Sequence, residues 1–535
     1  MFRKRLFLST VFAVIQFSLS ISLTQSSLAQ QWEIRRLRGT LRVVDVHQPE
    51  ISMNVMYNDF LISKDKDNKF VPSLAEDWRW IDDRTIEFKL RRGVLFHNGE
   101  EFNAKAVEVN WEAYRKMEHA TILPILDIPD ETIFEIIGKY RVRFTLPEPD
   151  GLAYLRFWCF DIMAPAFFSA HSFQEFHWSQ LEEPGPWGAG PFKLVEGNTV
   201  YTKPSGRVVL EAFEDYWDPR YPKIKRVIFE NSLRIDRQKA LELCMETEGP
   251  IDIVSRIRPL DTLKVAKSSF SKVVKNRAGA SVYGIFNQRK KNTKWKDIRL
   301  RKAVNYAINR EELVKYAAMG NAYNLGGWIA EGSYGHNPNL ALFTYDTTKA
   351  RSLLAEAGYR NGFSMKIIAP EGLRIECQII SKMLERVGFR VSYDIMTMQE
   401  LWRKTFVNFL DKPVEEQDWD CYLDTDADWA GQAGISFLIE GFLDIGGIRW
   451  IEYDPVYERM WEDMISTLDS RIKEEKIKEM VTYLYDNACA LFIYSPVTLY
   501  AVNNEVTFVP FNDGFLNLKE TSVTDRHWSI RGKNN

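Results

Sequence analysis

Between Phe363 and Ile395 the apolar spacing changes twice, and that change constrains the fold more than any other feature of the chain. Phe363 to Ala369 reads as a strand. Ile375, Ile379, Ile380, Met383, Leu384 and Val387 then recur at helical spacing, and Phe389 to Ile395 returns to strand. A crossover of that length makes the two strands parallel and their connection right-handed. This part of the chain is therefore expected to be an α/β lobe in its own right. Upstream, Ser281 to Asn287 gives a strand, and Asp297 opens a helix whose stripe is Leu300, Ala303, Val304, Ala307 and Ile308. Asn309 caps the next helix, which Gly320 closes, and Asp346 caps another that Gly358 ends. Helices over 455–468 and 471–488 lead into the apolar run ALFIYSP.

The first part of the chain carries other signals. Gly39 to Val46 predicts an early strand, Glu135 to Pro149 another, and Gly249 to Ile253 a third. Within Val71 to Met117, Ile86, Phe88 and Leu90 alternate with Thr85, Glu87 and Lys89, the pattern of a strand with one buried face. Asn98-Gly99 fits a tight turn. Asn103 stands at an N-cap position before a helix with Ala104, Val107, Trp111 and Tyr114 on one stripe. With 535 residues, two to three domains are expected.

Net charge is −3 and no basic run follows the first few residues, which argues against a nucleic-acid partner. Met1 to Ala29 reads as a secretory signal peptide: Arg3, Lys4 and Arg5, an apolar stretch from Leu6 to Leu23, and small residues at Ser27-Leu28-Ala29. The competing reading is an uncleaved anchor, against which Ser9, Thr10, Gln16, Ser18, Ser20 and Ser22 interrupt the run. No cysteine follows the cleavage site, so a lipid anchor is not expected. Cys159, Cys244, Cys377, Cys421 and Cys489 are scattered without a C-x-x-C pair and read as buried small hydrophobes.

The order of residues in PSLAEDW, followed by D-x-T-I-E-F-K-L-R-x-G-V-x-F-H-N-G-E-x-F-N-A-x-x-V, resembles the signature of the family 5 extracellular solute-binding proteins, the dipeptide, oligopeptide and nickel receptors of ABC importers. The likeness continues in the turn Gly188-Ala189-Gly190-Pro191-Phe192, in YWDPRYPKIKRVIF, in D-I-R-L-R-K-A-V-N-Y-A-I-N-R from Asp297, and in KARSLLAEAGY. It implies an α/β, two-lobed periplasmic binding protein fold (class II-like) with an extra subdomain in the first lobe. On that reading residues 30–60, 185–279 and 497–535 form the core of the first lobe, 61–184 its extra subdomain, and 280–496 the second lobe. Two strands cross between the lobes and the ligand sits in the cleft. The chain is then expected to be a periplasmic receptor, monomeric, that binds a peptide or peptide-sized solute by hinge closure, delivers it to the permease, and needs no cofactor. A nickel chelate, an opine or an oligosaccharide is the alternative cargo.

An enzyme needs convergent groups, and the sequence offers few. There is no G-x-S-x-G elbow and no H-E-x-x-H; His171 and His177 are spaced onto different helical faces. A secreted hydrolase lacks a nucleophile-base set, and an adhesive protein lacks repeats. The glycines near Trp187 lack the lysine of a phosphate loop. The string Asp418 to Trp429 begins D-x-D-x-D at Asp424, but Trp429 and Ile435 occupy the positions where a calcium loop needs glycine and glutamate. Its plain reading is a solvated acidic turn. Its reading by resemblance makes Asp428, followed by Trp429, the partner of a ligand ammonium. Tyr57, Trp187, Tyr283 and Trp328 are the other cleft candidates, each equally explicable as packing.

Overall fold

The computed structural model describes residues 37–46, 49–116, 124–169, 171, 181–200, 205–405, 410–436, 438–439 and 450–531. The expected signal peptide and His177 lie outside them.

Arg38–Val44 runs parallel to Ile224–Phe229 and to Ile253–Val254 at the centre of a seven-stranded sheet. Val208–Ala212 and Phe192–Glu196 extend it on one side, Thr498–Asn503 and Ser271–Asn276 on the other. A six-stranded sheet takes the order Ala322–Asn324, Ala490–Pro496, Ser281–Phe286, Cys421–Asp426, Ser364–Pro370, Arg390–Met396. Its last two strands are parallel and joined through the helix Arg374–Arg386, as the spacing of Ile375 to Val387 requires. The stripe Leu300, Ala303, Val304 and Ala307 is fully buried against the same sheet with Ile380 and Leu384. Asp297, Asn309 and Asp346 each accept a main-chain N–H at the start of their helices.

The segment between the first two strands of the large sheet builds its own layer. Ala75–Trp80, Thr85–Leu90, Arg141–Thr145 and Ile133–Gly138 form an antiparallel four-stranded sheet, with Ile86, Phe88 and Leu90 buried beneath the helix Ala104–Tyr114. Asn103 caps that helix, and Val107, Trp111 and Tyr114 face inward. The expected strand over 135–149 is instead a hairpin that turns at Lys139-Tyr140. Its continuous alternation conceals the turn, since neither Gly138 nor Tyr140 breaks the apolar count. The strand expected at 249–253 is shorter and later, Ile253–Val254.

The chain passes between the two large sheets twice, from Asn276 to Ser281 and from Pro496 to Thr498. Around these crossings one buried cluster joins Leu152, Leu155 and Trp158 to Tyr283, Trp328 and Trp461. All five cysteines are separate and buried. Among the described residues no helix is long and apolar enough to cross a membrane.

Candidate functional site

The acidic string that reads as a solvated turn is in fact the strand Cys421–Asp426, held between Ser281–Phe286 and Ser364–Pro370. Alternation along it sends Cys421 and Leu423 into the helix-covered core, and Tyr422, Asp424 and Asp426 to the opposite face. That face looks toward the cluster shared by Trp158, Tyr283 and Trp328. Asp424 and Asp426 thus keep some accessible surface while protein surrounds them on every side.

Their surroundings are poor in compensating charge. Asp424 accepts the Thr425 N–H at 2.8 Å, and burial, reinforced by Asp426, pushes its carboxyl up to about 7. Asp426 accepts the Ala427 N–H at 2.8 Å and the side chain of Trp429. Burial raises it as well, and the cation that acts against this is Arg256, which arrives from beyond the end of Ile253–Val254 in the other sheet.

Beyond the strand, the loop from Ala427 to Gln432 is gripped by a hairpin of the first segment, Ile62–Lys64 with Phe70–Pro72. The Lys64 ammonium donates to the Trp429 carbonyl, and the Asn68 amide to the Asp428 carbonyl. The Phe70 N–H donates to Gln432 Oε1 at 3.1 Å. Gly431 allows this fit: its φ is +57°, and a Cβ there would come within 2.3 Å of the Asn68 carbonyl oxygen. A second contact joins the same halves, with the Gly151 N–H donating to the Ile465 carbonyl at 2.5 Å and Lys473 Nζ to the Gly151 carbonyl at 2.8 Å.

The six residues marked in the sequence take different places. Asp428 is buried, and its carboxylate accepts Ser436 Oγ at 3.0 Å and the Gly431 N–H at 3.2 Å, with Ser333 close by. Trp429 is half-buried beside Asp426 and Lys64. Tyr283 and Trp328 meet at 4.9 Å between ring centroids within the shared cluster. Tyr57 lies elsewhere: its hydroxyl donates to the Gly185 carbonyl at 2.8 Å and accepts the Trp187 N–H at 2.9 Å. Gly190 is pressed so tightly on Tyr57 that a Cβ would meet its carbonyl carbon at 2.5 Å. Tyr57 therefore pins the glycine turn. The Trp187 ring packs on Phe167 and His171.

The sequence of this site can be placed among known proteins. Residues 69–435 match the family described as bacterial extracellular solute-binding proteins, family 5 Middle. The chain belongs to that family. This family 5 protein is 25% identical over 487 residues to the dipeptide-binding protein of Escherichia coli K12, covering 84% of this chain and 85% of that one. Its fold is similar to that of the periplasmic binding protein DppA from Helicobacter pylori, solved with the peptide STSA, at a TM-score of 0.72 and 19% identity over 91% of this chain and 99% of that one. It is also similar to AgaA from A. tumefaciens R10, solved with agropinic acid, at a TM-score of 0.70 and 20% identity over 91% and 99% of the two chains. The fold is thus the two-lobed binding protein fold, and the protein is the solute-binding component of an ABC importer. Family 5 members work outside the cytoplasm, and they are binding proteins.

Sequence reasoning missed Lys64, Asn68, Arg256 and the pair Asp424 and Asp426 as parts of this family 5 site. Only the pair left a trace, the i, i+2 spacing that puts two acids on one face of a strand. Among the described residues no group of three or more His, Cys, Asp or Glu is disposed to hold a metal ion.

Proposed function

We propose that this solute-binding protein takes a peptide or peptide-sized solute between two lobes, closes on it, and hands it unaltered to the permease. The first lobe comprises 30–60, 185–279 and 497–535 with 61–184 as its extra subdomain, and the second is 280–496. Residues 1–29 direct export and are removed, and the mature chain acts as a monomer. The observation that carries this reading is the enclosure of Asp424 and Asp426 at the meeting of the two halves with Arg256 as the cation acting on Asp426. Buried carboxylates are retained where a partner neutralises them, and the ammonium of a peptide is such a partner. The names of its relatives, a dipeptide-binding protein and a receptor solved with a peptide, support the same cargo.

On this reading Asp426, with Asp424, receives the ligand's ammonium. Asp428 is already committed to Ser436 and Gly431, and it shapes the loop that carries Trp429. The Trp429 ring beside Asp426 supplies an aromatic wall, and Tyr283 and Trp328 stiffen the floor beneath it. Tyr57 and Trp187 contribute through the glycine turn.

Titration calorimetry with a short peptide and its N-acetylated form tests the proposal. Removing one partner of a buried charge pair costs about 2–5 kcal/mol, roughly thirty-fold or more in affinity. N-acetylation, or Asp426→Asn, should each lose that much. Equal affinity for the two peptides removes the ammonium site, and turnover of the peptide removes the receptor reading.

A further inference from the structure

At one end of the large sheet, three aliphatic side chains stand in water. Ile224–Phe229 and Ile253–Val254 both run parallel to Arg38–Val44, so the segments that follow them emerge at the same end. The two segments pack together there, with Arg237 and Leu241 of one and Ile257 and Arg258 of the other lining a cavity of about 20 Å³. Ile235 is 95% exposed, more than any other large hydrophobic residue among those described, and Leu260 and Leu263 are 54% and 57% exposed. A lone exposed aliphatic is ordinary; three at one end of a sheet ask for a partner. Their bases are fixed. Asp236 accepts the Lys239 N–H at 2.9 Å, Thr262 Oγ1 donates to the Pro259 carbonyl at 2.7 Å, and Ile257 and Val265 are buried with Leu241 and Cys244.

The charge around these side chains is positive. Residues 231–239 and 255–267 hold seven Lys and Arg against two acids, in a chain whose net charge is −3. Arg256 acts on Asp426, and Arg234 is paired with Glu50 at 2.9 Å. Asp261, itself buried, engages Arg258 at 2.8 Å and lies 3.5 Å from Lys264. Arg237 has Arg258, Arg234 and Arg256 as its electrostatic neighbours, and Arg237, Lys239, Lys264 and Lys267 are all exposed. Aliphatic tips within a ring of long cationic side chains match a bilayer surface. The tips enter the boundary between headgroups and acyl chains, while the Lys and Arg stems lie along it with their charged ends at anionic phosphates. A protein socket is the poorer fit: neither segment holds an aromatic residue, and protein interfaces draw their affinity from Trp, Tyr and Arg with Leu under-represented.

We propose that Ile235, Leu260 and Leu263, with Arg237, Lys264 and Lys267, form a docking tip for an anionic membrane surface. Ser271–Asn276 is antiparallel to Thr498–Asn503, which is antiparallel to Ile253–Val254, so Asn276 leaves the sheet at this same end on its way to the other half. A molecule held by the tip therefore turns the boundary between its halves toward the bilayer in which the permease lies. The contact makes no use of Asp424 or Asp426, and it holds whatever solute the protein carries.

The full mature protein is sedimented with vesicles of phosphatidylcholine alone and with vesicles that also carry about 30% phosphatidylglycerol. The wild type should bind the anionic vesicles at least ten-fold more tightly, and raising salt from about 50 mM to about 500 mM should remove that excess. Replacing Ile235, Leu260 and Leu263 together by serine should weaken binding to anionic vesicles at least ten-fold, and Lys264→Gln and Lys267→Gln about five-fold each. Melting temperature and peptide affinity should hold in these variants, since each altered side chain is exposed. Should the triple variant melt lower, Ile235→Ser alone decides, with a loss of at least three-fold. Ile133→Ser, which removes a 60% exposed isoleucine from the four-stranded sheet, should change nothing. Equal sedimentation with both vesicle types, or with neither, overturns the proposal. So does an equal loss in Ile133→Ser, or full binding by the serine variants, which reduces the contact to adsorption of charge. Capture by bacterial inner-membrane vesicles that trypsin treatment of those vesicles abolishes, with none by pure lipid, overturns it in favour of a protein partner.

Discussion

Lys64 Nζ lies 3.6 Å from the centroid of the Trp158 ring, and from there its ammonium reaches across to the Trp429 carbonyl. Burial pulls the Lys64 pKa down, while Asp513 and Asp428 hold the charge in place. An ammonium on an aromatic face, away from water, gains about 0.5–2 kcal/mol; Lys64 and Trp158 belong to the same half, and it is the bond to the Trp429 carbonyl that forms only when the two halves meet. Lys64→Met removes that bond and leaves Asp513 with Lys519 as the cation acting on it. The variant should be more open without ligand, seen as a larger radius of gyration by solution scattering. It should bind peptide about ten-fold or more weakly, at 1.4 kcal/mol per decade. An unchanged radius and affinity would show that Lys64 does not latch the halves.

Gly431 tests the same contact by steric means. A methyl group at this position collides with the main chain at Asn68, which no rotamer change can relieve, and an alanine also resists the positive φ. Asn68 belongs to the other half, so the collision exists only when the halves are together. Gly431→Ala should therefore weaken ligand binding at least ten-fold while lowering the melting temperature by no more than a few degrees. Loss of folding without loss of affinity would place the strain inside the second lobe.

His527→Ala separates stability from binding. The Asp252 carboxylate is fully buried: Oδ1 accepts from His527 Nε2 at 3.0 Å, Trp528 Nε1 at 2.8 Å and Asn503 Nδ2 at 3.1 Å, and Oδ2 accepts from the Arg42 N–H at 2.9 Å. Ser529 Oγ lies 2.8 Å from His527 Nδ1 and also accepts the Thr40 N–H, so this Ser-His-Asp alignment ties the end of the chain to its first strand. Losing one donor to a buried carboxylate costs about 1–3 kcal/mol. Denaturant unfolding should report that loss, with peptide affinity unchanged. A change in affinity would connect this knot to the cleft.

The frame of the protein was legible because its signals are local. Asn103, Asp297, Asn309 and Asp346 cap helices by their own side chains, and Ile379, Ile380, Met383, Leu384 and Val387 keep one face apolar, with Ile375 of the expected stripe left exposed, so each could be read without knowing what it packs on. The cleft was not legible in this way. Asp428 resembles a ligand acid in the order of residues, and the fold adds what that order does not announce, that its Oδ1 accepts Ser436 Oγ and the Gly431 N–H. Asp424 and Asp426 look like part of a hydrated turn until the neighbouring strands are in place. Lys64 and Arg256 act at a boundary formed by segments hundreds of residues apart, as between Lys64 and Trp429, and no local pattern marks that. Tyr57 is the reverse case: an aromatic beside a glycine turn suggests a ligand wall, yet its hydroxyl is spent on Gly185 and Trp187.

The enclosed acids give binding a pH dependence whose sign is fixed. Burial raises the Asp424 carboxyl to about 7, whereas in the unfolded chain it titrates near 3.9. The folded, ligand-free protein therefore holds this proton more tightly than the unfolded chain. Its contribution to stability is full at acid pH and is lost as pH rises through about 7. An ammonium ligand needs the ionised form, so its binding expels the proton. Affinity should then climb by up to about one decade per pH unit below 7 and level off above it. Calorimetry from about pH 5 to about pH 8.5, in buffers of different ionisation enthalpy, should show proton release that fades above neutrality. Asp424→Asn should make the curve shallower, with Asp426, also raised to about 7 by burial, still titrating in the same window. A wild-type profile already flat across this range would mean that Asp424 does not face the ligand's charge.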